Sequence, residues 1–158
     1  MDERSIVIVD RAGRAAAFDA QSGQTLWYLG TPIVRVFDAA VRDGLVLLTG
    51  EQPTVTPGGA TLGLSPGLMV LDARTGRQFQ RIADLPAPVR WAVLTDTRQI
   101  VAGMQSGLIS YDAVSARINW EVSLPDLTES ASAWVFGKRG YVIGNDRSPW
   151  LIDLDRAQ

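Results

Sequence analysis

A short pattern recurs along this sequence, in which an apolar run leads to an aspartate, a polar turn and a second run. It occupies residues 17–27, 70–80 and 110–120, and a clipped fourth copy begins at residue 151. The aspartates of the four copies are separated by 53, 40 and 41 residues, and they are Asp19, Asp72, Asp112 and Asp153. A spacing of about 40 residues indicates one supersecondary unit per copy, with the units repeated side by side.

The residues after each aspartate are those of a tight hairpin turn. In the first two copies a hydroxyl residue and then Gly23 or Gly76 complete the turn. The Asp and hydroxyl side chains can satisfy local backbone N–H groups, and Gly adopts the left-handed conformation that closes the turn. The returning run carries Trp27 in the first copy and Trp120 in the third. We expect these rings to fill the space between neighbouring sheets.

Short β-type runs separated by Gly, Pro and charged turns fill the rest of the sequence. They predict strands at residues 5–10, 14–19, 24–29, 33–40, 45–49, 67–72, 77–82, 89–95, 98–103, 107–112, 117–123, 132–136, 140–144 and 150–154. The first repeat then lacks its innermost strand, and the last repeat lacks its outermost strand. This pattern predicts an all-β fold with one domain over residues 1–158, a β-propeller segment of about three and a half four-stranded blades. Because closed propellers have about four to eight blades, we expect a larger ring or one that further copies complete.

Composition excludes several classes of function. The formal net charge is −2 and no basic run occurs, so we expect no nucleic-acid binding. The chain has no Cys and no His, which excludes zinc sites built from them, disulfides and catalysis by an imidazole. The longest apolar runs are four residues, whereas a membrane-spanning helix needs about 20, so we expect no membrane insertion.

One catalytic motif occurs, at residues 63–67, where Gly-Leu-Ser-Pro-Gly fits G-x-S-x-G. The nucleophile elbow with this pattern needs a histidine base and a backbone N–H on the residue after the serine. Here that residue is Pro66, which has no N–H, and the chain has no His. We interpret the motif as a chance match and predict no catalytic residue and no metal site.

The pattern A-x-D-x-x-[ST]-G-x-x-x-W, complete in residues 17–27, resembles the signature of pyrroloquinoline-quinone-like propeller repeats. The second copy has Gln80 in place of Trp, and the third has Ala116 in place of Gly. In the quinoprotein-type family the repeat ties blades together, and any cofactor is held by other residues. The resemblance therefore implies structural roles for Asp19, Gly23, Trp27, Asp72, Gly76, Asp112, Trp120 and Asp153. The family's quinone enzymes resemble closed rings that hold calcium and often a pair of adjacent cysteines, so no cofactor is expected here.

A candidate ligand face follows from the expected strand order. A Gly- and Pro-rich inserted loop at residues 50–67, which could include an extra β-ribbon, accounts for the longer 53-residue interval. The antiparallel order puts this loop on the same rim as the connections between blades, where the inner strand of each blade begins. The candidate residues near that rim are Arg35, Arg90, Trp91 and Trp134. Each has a structural alternative, since the Trp rings are suited to packing and the Arg side chains to a wet channel or to ion pairs.

These observations lead to the hypothesis of a non-catalytic binding or assembly module that acts as a protein-interaction scaffold. Its expected partners are another protein or additional propeller blades, including further copies in a homo-oligomer. One alternative is a fragment of a quinone- or metal-dependent oxidoreductase, and another is a solute-sensing domain of a receptor. The resemblance alone suggests an extracytoplasmic location, whereas residues 1–4 lack the apolar stretch of a signal peptide.

Overall fold

The structure is a computed structural model that describes residues 5–82, 85, 89, 91–104, 107–123, 130–136, 139–144 and 149–154. Within these residues the regular structure is entirely β-strand. The strands are β1 (Ser5–Val9), β2 (Arg14–Asp19), β3 (Thr25–Gly30), β4 (Arg35–Arg42), β5 (Leu45–Val55), β6 (Thr61–Asp72), β7 (Gln78–Ile82), β8 (Trp91–Leu94), β9 (Gln99–Met104), β10 (Gly107–Asp112), β11 (Ile118–Ser123), β12 (Ser130–Phe136), β13 (Arg139–Gly144) and β14 (Pro149–Asp153). In this described part of the chain, no helix has the length and apolar character to cross a membrane.

The strands form four antiparallel sheets, in each of which neighbours in sequence are neighbours in space. Sheet 1 contains β1–β3, sheet 2 contains β4–β7, sheet 3 contains β8–β11 and sheet 4 contains β12–β14. This grouping of three, four, four and three strands confirms the prediction of an all-β fold made of four-stranded repeating sheets. The chain divides into two compact units, residues 1–85 and 86–158, so sheets 1 and 2 lie in the first and sheets 3 and 4 in the second.

In the first unit, one face of sheet 1 packs on sheet 2. Cross-strand pairing places Val7 beside Ala17 and Ala17 beside Trp27, so these three side chains share a face. That face contacts a buried cluster formed by sheet 2 and the residues that flank it. The members of the cluster are Ile33, Val46, Leu48, Met69, Leu71 and Ala73. The Trp27 indole N–H also donates a hydrogen bond to the carbonyl oxygen of Ala73 at 2.9 Å. Trp27 therefore lies between sheets 1 and 2 and is hydrogen-bonded to the segment that follows β6.

In the second unit, a corresponding core joins sheets 3 and 4. Its buried members are Trp91, Val101, Leu108, Trp120 and Leu154, with Ala133 and Ile152 packed against them. Trp120 is 8% exposed, and no acceptor for its Nε1 lies among the described residues. The ring of Trp120 therefore fills space between sheets as Trp27 does, but the described residues give it no matching hydrogen bond.

The three complete turns of the repeat have the same geometry. Asp19 Oδ1 accepts hydrogen bonds from the N–H groups of Gln21 and Ser22 at 3.1 and 2.7 Å, and from the Ser22 hydroxyl at 2.8 Å. Asp72 and Asp112 make the equivalent three bonds in their own turns. The left-handed position is occupied by Gly23, Gly76 and Ala116, with φ of 70°, 70° and 58°. Asp153 ends β14, as expected of the fourth copy.

Residues 50–67 form the extra β-ribbon that the sequence allowed within the inserted loop. β5 continues to Val55 and β6 begins at Thr61, so this segment is mostly a long two-stranded hairpin. The turn at residues 56–60 is closed by hydrogen bonds between Thr56 and Ala60, backbone to backbone at 2.9 Å and through the Thr56 hydroxyl at 3.0 Å. The G-x-S-x-G motif accordingly lies inside the continuous strand β6.

Candidate functional site

The outer part of the β5–β6 hairpin extends beyond the rest of sheet 2. β4 begins at Arg35, which pairs with Glu51 of β5. On the other side, β7 pairs with β6 no further than Leu68 in the described part of the chain. Residues 52–66 therefore form a two-stranded ribbon, and most of them are exposed.

One face of this ribbon is apolar. Pro53 pairs with Leu64 and Glu51 pairs with Pro66, so Pro53, Leu64 and Pro66 lie on the same side of the hairpin. Val55, two residues beyond Pro53, continues this side at the tip. Val55 is 54% exposed and Leu64 is 52% exposed. Leu62, which the irregular pairing near the tip leaves without a partner residue on β5, is 72% exposed.

Pro53 in β5 and Pro66 in β6 point their backbone nitrogens away from the other strand of the ribbon. The carbonyl oxygen of Glu51 accepts a hydrogen bond from Val34 at 2.8 Å, so the backbone of Glu51 faces away from β6. Pairing alternates along antiparallel strands, hence Pro66, opposite Glu51, and Pro53, two residues further along β5, also face outward. Neither residue needs an N–H for the hairpin, which explains why proline is accommodated here.

A hollow lies at the base of the ribbon, where the rim of sheet 2 meets the turn between β1 and β2. It has a volume of about 290 Å³ and is lined by Arg11, Arg35, Val36 and Phe37. The Arg35 guanidinium lies 5.9 Å from the centroid of the Phe37 ring, and its Nη1 is 3.3 Å from Glu51 Oε2. The Arg35 side chain is 67% exposed and Phe37 is 52% exposed.

Backbone hydrogen bonds fix the walls of this hollow. The Val36 N–H donates to the carbonyl oxygen of Arg11 at 3.0 Å, and the Thr31 N–H donates to that of Gly13 at 2.9 Å. The β1–β2 turn, the connection between sheets 1 and 2 and the base of the ribbon therefore meet at one rim. Sites supported by a rigid scaffold in this way are typical of binding loops.

A second exposed surface is the face of sheet 1 that points away from sheet 2. Ile6, Ile8 and Tyr28 are 53%, 56% and 65% exposed on this face. A hollow of about 240 Å³ lies over it, and the hollow is bordered by Asp10 and Arg14. Hydrogen bonds from the backbone N–H and side chain of Arg14 lower the pKa of Asp10, and the same pairing raises the pKa of Arg14.

The four residues of the predicted ligand face have different positions. Arg35 is exposed at the rim of the first unit, beside the ribbon. Trp91 is 8% exposed and packs in the core of the second unit, which is the structural alternative given for it. Trp134 lies in β12 and pairs with Tyr141, but its side chain falls outside the described structure, as does Arg90. Among the described residues, no three His, Cys, Asp or Glu side chains are grouped so that they could hold a metal ion.

Arg11, Phe37 and Glu51 are not among the residues predicted for the ligand face. Arg11 lies in the turn between β1 and β2, which the expected strand order places on the same rim as the ribbon. That topological argument could have found Arg11. Phe37 sits at an irregularity in the pairing of β4 with β5, between Val36 and Asp38, and no sequence signal marks such a position.

No protein-family model matches this sequence, and no curated protein matches it. Solved structures do match. The computationally designed Ika4 protein is 12% identical with a TM-score of 0.73, over 98% of this chain and 88% of that one. BamB from Moraxella catarrhalis is 16% identical with a TM-score of 0.66, over 98% of this chain but 44% of its own length. Both are β-propellers, and the chain described here has a β-propeller fold.

Proposed function

We propose that this chain is a non-catalytic binding and assembly module, built from pyrroloquinoline-quinone-like repeats, that binds another protein through the apolar face of the ribbon. The observation that supports it is the ribbon itself, which carries Val55, Leu62 and Leu64 at more than half exposure beyond the edge of its sheet. Exposed apolar patches of this kind are a mark of interaction sites.

The ribbon contributes little to the core of its own unit. The buried residues of β5 and β6 lie in the inner parts of the strands, at residues 45–50 and 67–71. Beyond them only Gln52 of the ribbon is buried. Three apolar side chains held in water on a hairpin therefore have no evident role in folding, and their burial in a complex would be favourable by about 25 cal/mol per Å².

A shortened ribbon tests this proposal. Deleting residues 53–55 and 61–64 removes the paired outer residues and joins the turn at residues 56–60 to Gln52 and Ser65. We expect proteins retained by the wild-type chain in an affinity experiment to be lost by this variant. A matched control variant has substitutions at Val114 and Ile118, which are 40% and 59% exposed near the third turn. This control should retain the same proteins as the wild type. Equal retention by the shortened variant and the wild type would contradict the proposal.

The assembly part of the proposal is supported by the outer face of sheet 1. Its inner face is covered by sheet 2, and its outer face presents Ile6, Ile8 and Tyr28 to solvent. In a propeller each blade packs against a blade on either side. We infer that another propeller sheet covers this face, supplied by a longer chain or by a second copy.

Native mass measured with and without Ile8→Glu tests the assembly proposal. An oligomer that the substitution dissociates would support a second copy. Aggregation that the substitution relieves would support further blades in a longer chain. A monodisperse monomer with the same mass for both proteins would contradict both.

A further inference from the structure

The hollow lined by Arg11, Arg35 and Phe37 has an excess of positive charge. Arg35 is paired with Glu51, but a guanidinium has five N–H donors and this contact uses one of its two terminal nitrogens. Arg11 is exposed, and no carboxylate pairs with it among the residues that the structure describes. The nearby Asp10 is engaged by Arg14 at 2.6 Å. Two guanidinium groups therefore face the hollow with one carboxylate, in a chain whose net charge is −2.

Arg35, at the edge of this hollow, lies on the same side of sheet 2 as the apolar face of the ribbon. Arg35 pairs with Glu51, and Glu51 pairs with Pro66, so the three side chains lie in a row across β4, β5 and β6. Pro53 and Leu64 form the next row on the same side. A ligand that reaches both regions would meet guanidinium groups and an aromatic ring at one end and aliphatic side chains at the other.

The edges of the ribbon are poorly suited to adding a strand. Pro66 and Pro53 face outward on opposite edges, and each presents no N–H to an incoming backbone. Outward-facing prolines are one way in which proteins block pairing at exposed edges. A partner is therefore expected to be bound by side-chain contacts on the face of the ribbon and not by β-strand addition.

From these features we infer that the ribbon face binds an acidic segment of another protein, with carboxylates at Arg11 and Arg35 and neighbouring apolar side chains on Leu64 and Val55. This inference rests on the proposed function and specifies the chemistry of the partner. Guanidinium groups bind carboxylates through paired N–H donors, and Phe37 beside Arg35 restricts the orientation of that guanidinium. The positive charge favours carboxylates in the bound segment, and the exposed aliphatic side chains of the ribbon favour apolar side chains beside them.

Fluorescence anisotropy with a labelled peptide that alternates glutamate with leucine and serine tests the inference. We expect measurable binding below about 1 mM. The same peptide with glutamine in place of glutamate should bind about tenfold more weakly, and so should the acidic peptide to the Arg11→Gln/Arg35→Gln variant. The matched control, Arg74→Gln/Arg117→Gln, removes the same charge at the repeat turns and should leave affinity unchanged.

Several results would overturn the inference. The first is absence of binding by the acidic peptide. The second is equal affinity of the wild type for the acidic and the glutamine peptides. The third is equal affinity of the acidic peptide for the wild type and the Arg11→Gln/Arg35→Gln variant. Tighter binding of a short single-stranded oligonucleotide than of the peptide would assign the hollow to nucleic acid instead. Arg11→Gln alone, which removes no ion pair among the described residues, keeps the test valid if the double variant unfolds. If proteins are still retained through the ribbon while the acidic peptide fails to bind, the proposed function stands and only the partner chemistry is wrong.

Discussion

The indole nitrogen of Trp27 lies 2.9 Å from the carbonyl oxygen of Ala73, and this hydrogen bond connects the last strand of sheet 1 to the repeat turn of sheet 2. The same ring packs against Gly76 of that turn, where an added Cβ would lie 2.8 Å from Trp27 Cδ2. One copy of the repeat is thus tied to the next by the Trp of the first and the turn of the second.

Replacing Trp27 by Phe should cost about 0.5–1.5 kcal/mol beyond the loss of ring volume, because it removes the hydrogen-bond donor and leaves the carbonyl of Ala73 without this partner. Trp120→Phe is the matched control, since no acceptor for the Trp120 Nε1 lies in the described structure. Trp120→Phe should therefore lower the free energy of unfolding by less than Trp27→Phe does. Urea unfolding of the two variants measures the difference. An equal loss of free energy of unfolding in both would show that the Trp27 bond is not a specific tie.

The turn aspartates should make stability sensitive to acid. Burial alone would raise the pKa of Asp72, but hydrogen bonds from Thr75 and the Arg74 N–H outweigh it, and its pKa is lowered. The N–H and hydroxyl of Ser115 lower the pKa of Asp112. A carboxyl whose folded-state pKa is lowered contributes stability that is present above its unfolded value, near 3.8, and is lost as pH falls through the folded value.

The free energy of unfolding measured between about pH 7 and pH 3 checks this acid dependence. We expect the decline below about pH 5 to be smaller in the Asp72→Asn/Asp112→Asn variant, because asparagine keeps an acceptor oxygen but does not titrate. A decline of the same size in the variant and the wild type would assign acid sensitivity to other carboxylates.

The third turn carries a local strain that glycine should relieve. Ala116 has a φ of 58°, a left-handed conformation that is unfavourable for a residue with a Cβ. Ala116→Gly should raise the free energy of unfolding by about 0.5–1 kcal/mol, after the entropy that glycine adds to the unfolded chain is counted. Val114→Gly, in the same turn at a residue without positive φ, is the control and should not stabilise. Thermal unfolding of both variants distinguishes these outcomes.

Replacing glycine by alanine should destabilise the first two turns by different amounts, although Gly23 and Gly76 both have a φ of 70°. Around Gly23 no atom lies within 4 Å of an added Cβ, so Gly23→Ala should cost only the backbone term of about 1–2 kcal/mol. At Gly76 the added Cβ would also meet Trp27 Cδ2 at 2.8 Å and Leu29 Cδ2 at 2.9 Å. Gly76→Ala should therefore be the more destabilising, as denaturant midpoints would report. Equal midpoints for the two variants would mean that Trp27 does not pack closely on the turn.

The repeat predicted the fold because its signals are local. The aspartate, the hydroxyl residue and the left-handed position satisfy one another within a single turn, as Asp19, Ser22 and Gly23 do, so their meaning does not depend on distant contacts. Tertiary contacts are less visible in the pattern. Trp27 and Trp120 occupy the same place in the repeat, yet only Trp27 has an acceptor among the described residues.

The sequence predicts an insertion at residues 50–67 but not how far its strands extend, because glycine and proline normally argue against a strand. What the sequence does not reveal is the direction in which Pro53 and Pro66 face, and outward-facing prolines are compatible with a long hairpin. The residues of the candidate rim are only partly predictable from the sequence for a similar reason. Arg35 was expected there from strand order, whereas the position of Phe37 depends on a pairing irregularity that is set by the three-dimensional structure.

Photo-cross-linking from the ribbon tests the central functional claim most directly. A photoreactive residue introduced at position 64, where Leu64 is 52% exposed on the apolar face, should form a cross-link to a partner protein. The same residue at position 118, where Ile118 is 59% exposed near the third turn, should not. A cross-link from position 64 alone is the predicted result. Equal cross-linking from both positions, or cross-linking from position 118 only, would contradict the assignment of the ribbon as the binding surface.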